Sequence, residues 1–180
     1  ISHTENRINL KYATQIEQLG TGHAVLQTEE LLKNNKGHII ILYGDVPNIK
    51  ASTLRPIIDE HIINSRDLTL ITAEIDDPSG YGRIIRDKNG NLVKIVEEKD
   101  CDDDERKIKE WNPGIYIFKI PEVFEVLNNI RTNNASKEYY LTDAIGLAQQ
   151  SNMQVNAIKI ANSNEVIGIN TADQLEEIES

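Results

Sequence analysis

The sequence predicts a single α/β domain, and three observations support this prediction. Apolar, β-rich runs alternate along the chain with stretches that have the spacing of amphipathic helices. Residues 38–43, HIIILY, form a nearly continuous apolar run, which is typical of a strand in the middle of a parallel sheet. No internal repeat, low-complexity linker or domain boundary interrupts the 180 residues. We therefore expect one domain that spans 1–180.

The first half of the chain is predicted to contain three strands and two helices. In order, these are a strand over 8–14, a helix over 21–34, the strand 38–43, a helix over 53–64 and a strand over 68–75. The first helix has an apolar inner face formed by Ala24, Val25, Leu31 and Leu32. Turn residues follow the second and third strands, at 44–47 and in the cluster DPSGYG, and they fix where those strands end.

The second half is predicted to begin with a β-hairpin. Residues 83–86 and 92–96 flank the sequence DKNGN, and Asn-Gly favours a tight primed turn. An acidic stretch over 100–105 leads into a short helix, where carboxylates suit the helix dipole. The remaining predictions are strands over 114–119 and 154–160 and helices over 122–130, 141–150 and 172–178.

Composition and charge exclude several classes of protein. Hydrophobic residues make up 39% and charged residues 27% of the chain, which is the balance of a folded domain rather than a disordered one. The formal net charge of −10 argues against binding to nucleic acid or to an anionic membrane. A single cysteine, Cys101, leaves no internal disulfide and fits a reducing cytoplasm. An acidic protein that handles phosphates needs a local cation, and bound metal is the simplest source.

Two Gly-containing segments lie beside predicted strands, where open α/β sheets bind nucleotides. In QLGTGHA, Gly20 and Gly22 allow close backbone approach and Thr21 can cap the following helix. A tight strand-to-helix turn explains the same residues equally well. In YGDVP, Asp45 follows the apolar strand, and its carboxylate suits Mg²⁺ shared with substrate phosphates. Its alternative role is to cap the turn before Pro47.

Three later segments are also candidates. Gly82 in GYGRI and Glu97 in VEEKD lie at strand ends near the hairpin. A carboxylate there could accept hydrogen bonds from sugar hydroxyls. A Gly-containing turn and a solvated acid explain the same two residues as well. EYYLTD places Tyr140 and Thr142 before a helix. In GIN, Asn170 precedes the last predicted helix, and an N-cap is the alternative role.

These segments in order resemble the nucleotidylyltransferases that join sugar 1-phosphates to nucleoside triphosphates, and in particular the bacterial uridylyltransferases that form UDP-N-acetylglucosamine. Seven segments carry the resemblance between about 15 and 175: QLGTGHA, YGDVP, DDPSGYGRI, IVEEKD, NPGIY, EYYLTD and GIN. The resemblance implies a Rossmann-like nucleotidyltransferase fold with a mixed, mainly parallel sheet flanked by helices. It also implies Mg²⁺ as cofactor and UTP and N-acetylglucosamine 1-phosphate as substrates.

The resemblance further implies roles for individual residues. Asp45 and Asn170 resemble the two Mg²⁺ ligands and are the expected catalytic residues. The expected nucleotide-binding residues are Gln15, Gly20, Thr21, Tyr43 and Gly44. The expected sugar-binding residues are Gly82, Glu97, Asn112, Tyr140 and Thr142.

This sequence departs from the family pattern in two places. The family opens with a first βα unit whose Gly-rich, basic loop holds the triphosphate, and we expect the chain to be a partial domain that lacks it. Pro113 stands where the uridylyltransferases usually have a small non-proline residue, and it removes a backbone donor there. The resemblance also implies a homo-oligomer formed through a C-terminal half that this sequence does not contain. The rival hypotheses are the same fold acting on another sugar or nucleotide, and a non-catalytic fragment that binds sugar nucleotide or a partner protein.

Overall fold

The computed structural model describes residues 10–168. Its strands are β1 (Gly37–Leu42), β2 (Leu68–Glu74), β3 (Gly82–Arg86), β4 (Leu92–Val96), β5 (Glu110–Asn112), β6 (Ile115–Ile120) and β7 (Val155–Lys159). Its α-helices are α1 (Thr21–Leu26), α2 (Glu29–Leu32), α3 (Ala51–Ile63), α4 (Glu122–Leu127) and α5 (Ala144–Gln150). Short 3-10 turns cover Glu98–Asp100, Glu105–Lys107, Leu141–Asp143 and Ser163–Glu165.

The strands form one mixed sheet in the order β1-β6-β2-β5-β3-β4, with β7 paired to β2. Within residues 10–168, only β2 and β7 run parallel, and the other five strand pairs are antiparallel. The α/β class and the mixed sheet are confirmed, whereas the expectation of a mainly parallel sheet is wrong. The predicted hairpin is confirmed, because β3 pairs antiparallel with β4 around the turn that contains Asn89 and Gly90.

The strand β1 is present, but its surroundings differ from the prediction. It pairs antiparallel with β6, and among residues 10–168 it stands at one end of the strand order. Its burial alternates along the strand, and Ile40 and Leu42 remain 40% and 48% exposed. An apolar run fits a buried parallel strand and a terminal antiparallel strand equally well, so periodicity alone could not distinguish these positions.

Two of the predicted elements near the N-terminus are wrong or shortened. Residues 10–14 of the predicted strand 8–14 form no strand. The predicted helix 21–34 is broken after α1, where the Thr28 hydroxyl donates to the Val25 carbonyl at 2.7 Å and the chain turns before α2 begins. A Thr side chain that bonds to a nearby backbone carbonyl competes with the helical pattern. The predicted helix 172–178 lies outside the described residues.

Helices cover both faces of the sheet, as the α/β prediction requires. On β6, Tyr116 and Phe118 point into a core shared with α4 and α5, while Ile115 and Ile117 point into a second core that includes Ile57 of α3. Alternate residues of a strand face opposite sides, so β6 is buried on both. The sheet therefore holds the strand ends and loops around a rigid centre. No helix within residues 10–168 has the length and apolar character needed to cross a membrane.

Candidate active site

A cleft of about 520 Å³ collects loops from all parts of the chain at one edge of the sheet. Its walls come from the ends of β1, β4 and β5, the loop before β3, and the segment before α5. Seven of the residues singled out in the sequence line it: Thr21, Tyr43, Asp45, Gly82, Glu97, Asn112 and Tyr140. The structure thus brings together residues that lie up to 119 positions apart in the sequence.

The segment that begins α1 is fastened to the segment that precedes α5. Tyr139 N–H donates to the Leu19 carbonyl at 2.8 Å, and Gly22 N–H donates to the Tyr139 carbonyl at 2.8 Å. Gly20 has φ +117°, and a Cβ there would lie 2.7 Å from Tyr139 O. Only glycine fits this close approach of two backbones without strain. The glycines of QLGTGHA therefore serve to pack this loop against EYYLTD.

The side chains of this loop are partly committed to holding it in place. Thr21 Oγ1 accepts a hydrogen bond from Leu141 N–H at 3.0 Å, while Thr21 also lines the cleft. Gln15 does not line the cleft, and its Nε2 donates to the Gly20 carbonyl at 3.1 Å. In this conformation Gln15 supports the backbone of the loop from behind.

A buried hydrogen-bond network joins β5 to β6 and to the turn between them. Asn112 Nδ2 donates to Tyr116 Oη at 2.7 Å, and Asn112 Oδ1 accepts from Gly114 N–H at 3.0 Å. Burial raises the pKa of Tyr43 to about 12, and it also raises the pKa of Tyr116 well above its ordinary value. Both phenols therefore remain protonated and able to donate hydrogen bonds at neutral pH. Because both polar ends of Asn112 have protein partners, its amide is fixed rather than free to turn toward a ligand.

Glu97 is a half-buried carboxylate that lines the cleft. Thr142 Oγ1 donates to Glu97 Oε1 at 2.9 Å. The other carboxylate oxygen, Glu97 Oε2, faces Gly82, and a Cβ added to Gly82 would lie 3.4 Å from that oxygen. Burial raises the pKa of Glu97, the Thr142 hydrogen bond lowers it, and the nearby acids Asp143, Asp100 and Glu138 raise it. Thr142 does not line the cleft and instead orients Glu97 from behind.

Asp45 lies just beyond β1 at the mouth of the cleft. Its carboxylate makes no hydrogen bond or ion pair with any residue between 10 and 168, so its oxygens are available to a ligand. A hard carboxylate oxygen beside a cleft fits Mg²⁺, which is usually held by one or two protein groups and by substrate phosphates. Within the described ranges, no three His, Cys, Asp or Glu side chains form a metal cluster.

Three other expected site residues, Gly20 among them, do not line the cleft or lie beyond the described chain. Gly44 lines an adjoining apolar groove beside β1, which shares three lining residues with the cleft. Asn170 lies outside the described residues, although Gly168, two positions before it, lines the cleft.

Sequence reasoning missed several residues that line the cleft. These are chiefly Ser79, Tyr81, Glu98, Lys99, Ser136 and Glu138. Lys99 is the single basic side chain among the described lining residues, and its Nζ donates to Ser136 Oγ at 3.2 Å. Lys99 belongs to VEEKD, so attention to charge in that segment could have found it. The loop over 133–137 has no comparable signal.

Comparison with known proteins identifies the class of this fold. The chain matches the family described as nucleotidyl transferase over residues 1–165. A solved structure of UDP-glucose pyrophosphorylase complexed with UDP-glucose superposes with a TM-score of 0.62 over 83% of this chain and 57% of that chain. The sequence identity to that structure is 21%, so the likeness concerns the fold. The nucleotidyltransferase fold expected from the resemblance is confirmed.

Curated relatives are considerably more similar in sequence. "Bifunctional protein GlmU" of Clostridium beijerinckii is 47% identical over 171 residues, which cover 95% of this chain and 37% of that protein. "Bifunctional protein GlmU" of Streptococcus gordonii is 44% identical over 170 residues, with 94% and 37% covered. The chain therefore spans a little over a third of the length of these relatives.

Proposed function

Because this chain belongs to the nucleotidyl transferase family, we propose that it catalyses Mg²⁺-dependent transfer of UMP from UTP to N-acetylglucosamine 1-phosphate. The products are UDP-N-acetylglucosamine and pyrophosphate. The observation that carries the proposal is the cleft itself, which gathers Thr21 at the start of α1, Asp45, Glu97 and Lys99 around one space. The curated relatives named "Bifunctional protein GlmU" support the choice of this reaction within the family.

The cleft has a nucleotide side and a sugar side in this proposal. Thr21 and Tyr43 lie on the side formed by the start of α1 and the end of β1. Glu97 and Gly82 lie on the hairpin side. Glu97 Oε2 is a carboxylate acceptor beside a glycine, which suits sugar hydroxyl groups as hydrogen-bond donors.

Charge neutralisation is the main chemical requirement of the reaction. The sugar phosphate oxygen is already anionic, so it attacks the α-phosphorus of UTP in line without a general base, and pyrophosphate leaves. The work of the protein is to orient the two substrates and exclude water. Asp45 and Asn170 would hold Mg²⁺, which supplies positive charge for the phosphate oxygens when bound. Lys99 offers a second positive charge on the hairpin side.

Two rival functions remain distinguishable by experiment. The same fold could act on another sugar or nucleotide, and the likeness to UDP-glucose pyrophosphorylase makes glucose 1-phosphate the natural competitor. Alternatively, the chain could bind a sugar nucleotide without turnover. The buried Cys101 fits the reducing cytoplasm in which we place the reaction.

The deciding experiment measures pyrophosphate release from UTP, N-acetylglucosamine 1-phosphate and Mg²⁺. We compare the chain with Asp45→Ala and with the control Asp76→Ala, which removes an exposed acid that follows β2 and pairs with Lys109 at 2.8 Å outside the cleft. Release that Asp45→Ala abolishes and Asp76→Ala preserves supports the proposal. Faster turnover with glucose 1-phosphate would show instead that the chain acts on another sugar. Binding of UDP-N-acetylglucosamine without any pyrophosphate release would support the second rival, a chain that binds sugar nucleotide without turnover.

A further inference from the structure

Arg83 is a buried guanidinium beside the cleft that the proposed reaction does not use. It lies on β3, is 1% exposed, and does not line the cleft. Its Nη1 donates to the Tyr81 carbonyl, and its Nη2 donates to Glu98 Oε2 at 2.8 Å. Both partners belong to segments that do line the cleft. Arg83 therefore connects the wall of the cleft to the sheet behind it.

Glu98 completes the connection from the other side. Its Oε2 also accepts a hydrogen bond from Gly80 N–H at 3.1 Å, and its Oε1 lies 3.4 Å from Arg106 Nε. Burial alone would raise the pKa of Glu98, but the hydrogen bonds from Gly80 and Arg83 lower it, so the carboxylate is charged. Both of its oxygens are occupied by protein donors. Glu98 therefore holds the loop at Gly80 in place and has no carboxylate oxygen without a protein donor.

Stability alone does not explain a charged residue at this position. Arg83 Nε is buried and has no acceptor among the described residues. An unsatisfied buried donor is unfavourable, and an apolar side chain of similar volume often serves stability equally well. The loop that Arg83 and Glu98 hold, residues 80–82, ends at Gly82, whose Cα faces the Glu97 carboxylate.

We propose that Arg83 and Glu98 form a clamp that positions the loop 80–82 and thereby sets the affinity of the cleft for the sugar phosphate. The proposal rests on the proposed function for its substrate, and it makes Arg83 and Glu98 positioning residues. Releasing the clamp lets the backbone at Gly80 and Gly82 move away from Glu97. Recognition on the sugar side then weakens, while Thr21 keeps its hydrogen bond to Leu141 and Tyr43 keeps its contact with Gly114.

The same strand supplies a matched control. Arg86 of β3 forms a comparable pair with Glu110 of β5, at 2.8 Å and 2.7 Å, but neither residue lines the cleft. Breaking this second pair removes the same kind of interaction from the same sheet. It therefore measures what a merely structural ion pair contributes.

The test compares Glu98→Ala, Arg83→Met and the control Glu110→Ala in the full chain. Kinetics give the KM of each substrate and kcat. A second readout is independent of activity, because the single tryptophan, Trp111, has its ring centroid 4.0 Å from that of Tyr81 in the loop. Trp111 is fully buried, so quenching of its fluorescence by acrylamide reports movement of Tyr81.

We expect Glu98→Ala and Arg83→Met each to raise the KM for N-acetylglucosamine 1-phosphate about tenfold, equivalent to about 1.4 kcal/mol. The KM for UTP and kcat should change by less than about twofold, a split that indicates lost substrate binding. Trp111 should become accessible to acrylamide in both variants, and the double variant should be no worse than either single one. Glu98→Gln, which keeps an acceptor for Gly80 N–H, should recover part of the affinity.

Three results would overturn the clamp. They are unchanged sugar KM and unchanged quenching, equal rises in both KM values, or the same pattern in Glu110→Ala. If the unaltered chain releases no pyrophosphate, the proposed function fails for this chain, and the quenching comparison decides the clamp by itself. Quenching that rises in Glu98→Ala and Arg83→Met but not in Glu110→Ala would then support it.

Discussion

The ring of Tyr43 lies directly against the backbone of Gly114, with no space for a methyl group between them. Gly114 has φ +77°, and its N–H donates to Asn112 Oδ1, so the turn between β5 and β6 is shaped around the tyrosine. This contact joins the end of β1 to the turn before the neighbouring strand β6. It explains why Tyr43 can be placed rigidly although it follows a strand end.

Replacing Gly114 by alanine should therefore displace Tyr43. The positive φ and the clash together should lower the free energy of unfolding by about 2–4 kcal/mol. Gly90→Ala is the control, since Gly90 has φ +83° but open space around its Cα. There only the backbone strain of about 1 kcal/mol applies. Urea unfolding of both variants measures this difference. Equal losses of unfolding free energy would show that the Tyr43 ring moves aside at little cost.

Thr142→Val should shift the pH dependence of sugar nucleotide binding. Burial raises the pKa of Glu97, and the Thr142 hydrogen bond opposes that rise, so its removal raises the pKa further. The ionised acceptor is present above this pKa and is lost as pH falls through it. Calorimetric titration of UDP-N-acetylglucosamine across mildly acidic pH should show affinity failing at a higher pH in the variant. Identical pH profiles would show that Glu97 does not take part in binding the sugar nucleotide.

Lys99→Gln should weaken binding of UDP-N-acetylglucosamine and reduce its sensitivity to salt. In a chain of net charge −10, the one basic side chain on the described cleft wall is expected to attract a diphosphate. A loss of about fivefold to tenfold corresponds to about 1 kcal/mol. Lys94→Gln is the control, because Lys94 pairs with Glu105 at 3.0 Å outside the cleft. Equal effects of the two changes would indicate general charge rather than a local contact.

His61 should make the fold less stable in mild acid. It is completely buried between α3 and the sheet, where Nδ1 lies 2.8 Å from Thr69 Oγ1 and Nε2 lies 2.9 Å from His38 Nδ1. Burial lowers the pKa of His61 to about 4, and His38 and Arg66 lower it while Asp67 raises it.

In the unfolded chain His61 therefore binds a proton near pH 6.5, whereas in the folded chain it does so only near pH 4. The free energy of unfolding should fall as pH drops through this window, by at most about 3 kcal/mol. Urea unfolding at several pH values should show a smaller acid loss in His61→Gln than in the unaltered chain. Parallel curves would mean that His61 is charged in the fold.

The sequence predicted the elements whose signals are local. The Asn-Gly pair at 89–90 placed the hairpin correctly, although the expected primed turn did not form, because Gly90 has a positive φ and Asn89 does not. Strand direction is not a local property, since it depends on which distant segment pairs with the run at 38–43. The prediction of mainly parallel pairing failed for that reason.

For the cleft, motif resemblance found residues but not the direction of their side chains. Thr142 and Gln15 were expected to bind ligands; neither lines the cleft, and each hydrogen-bonds to another expected site residue. Arg83 was invisible because nothing in a sequence distinguishes a buried arginine from an exposed one. Its importance arises only from the loop that folds over it.

The hydrogen bonds between Leu19, Gly22 and Tyr139 also carry a consequence for biosynthesis. A ribosome must add well over a hundred residues after the first of these partners before the second one exists. Until then the glycine-containing loop has no backbone to pair with, and contacts so distant in sequence form late. The cleft can therefore be completed only after Tyr139 has been translated, so nascent chains that stop short of Tyr139 should have no wall on that side.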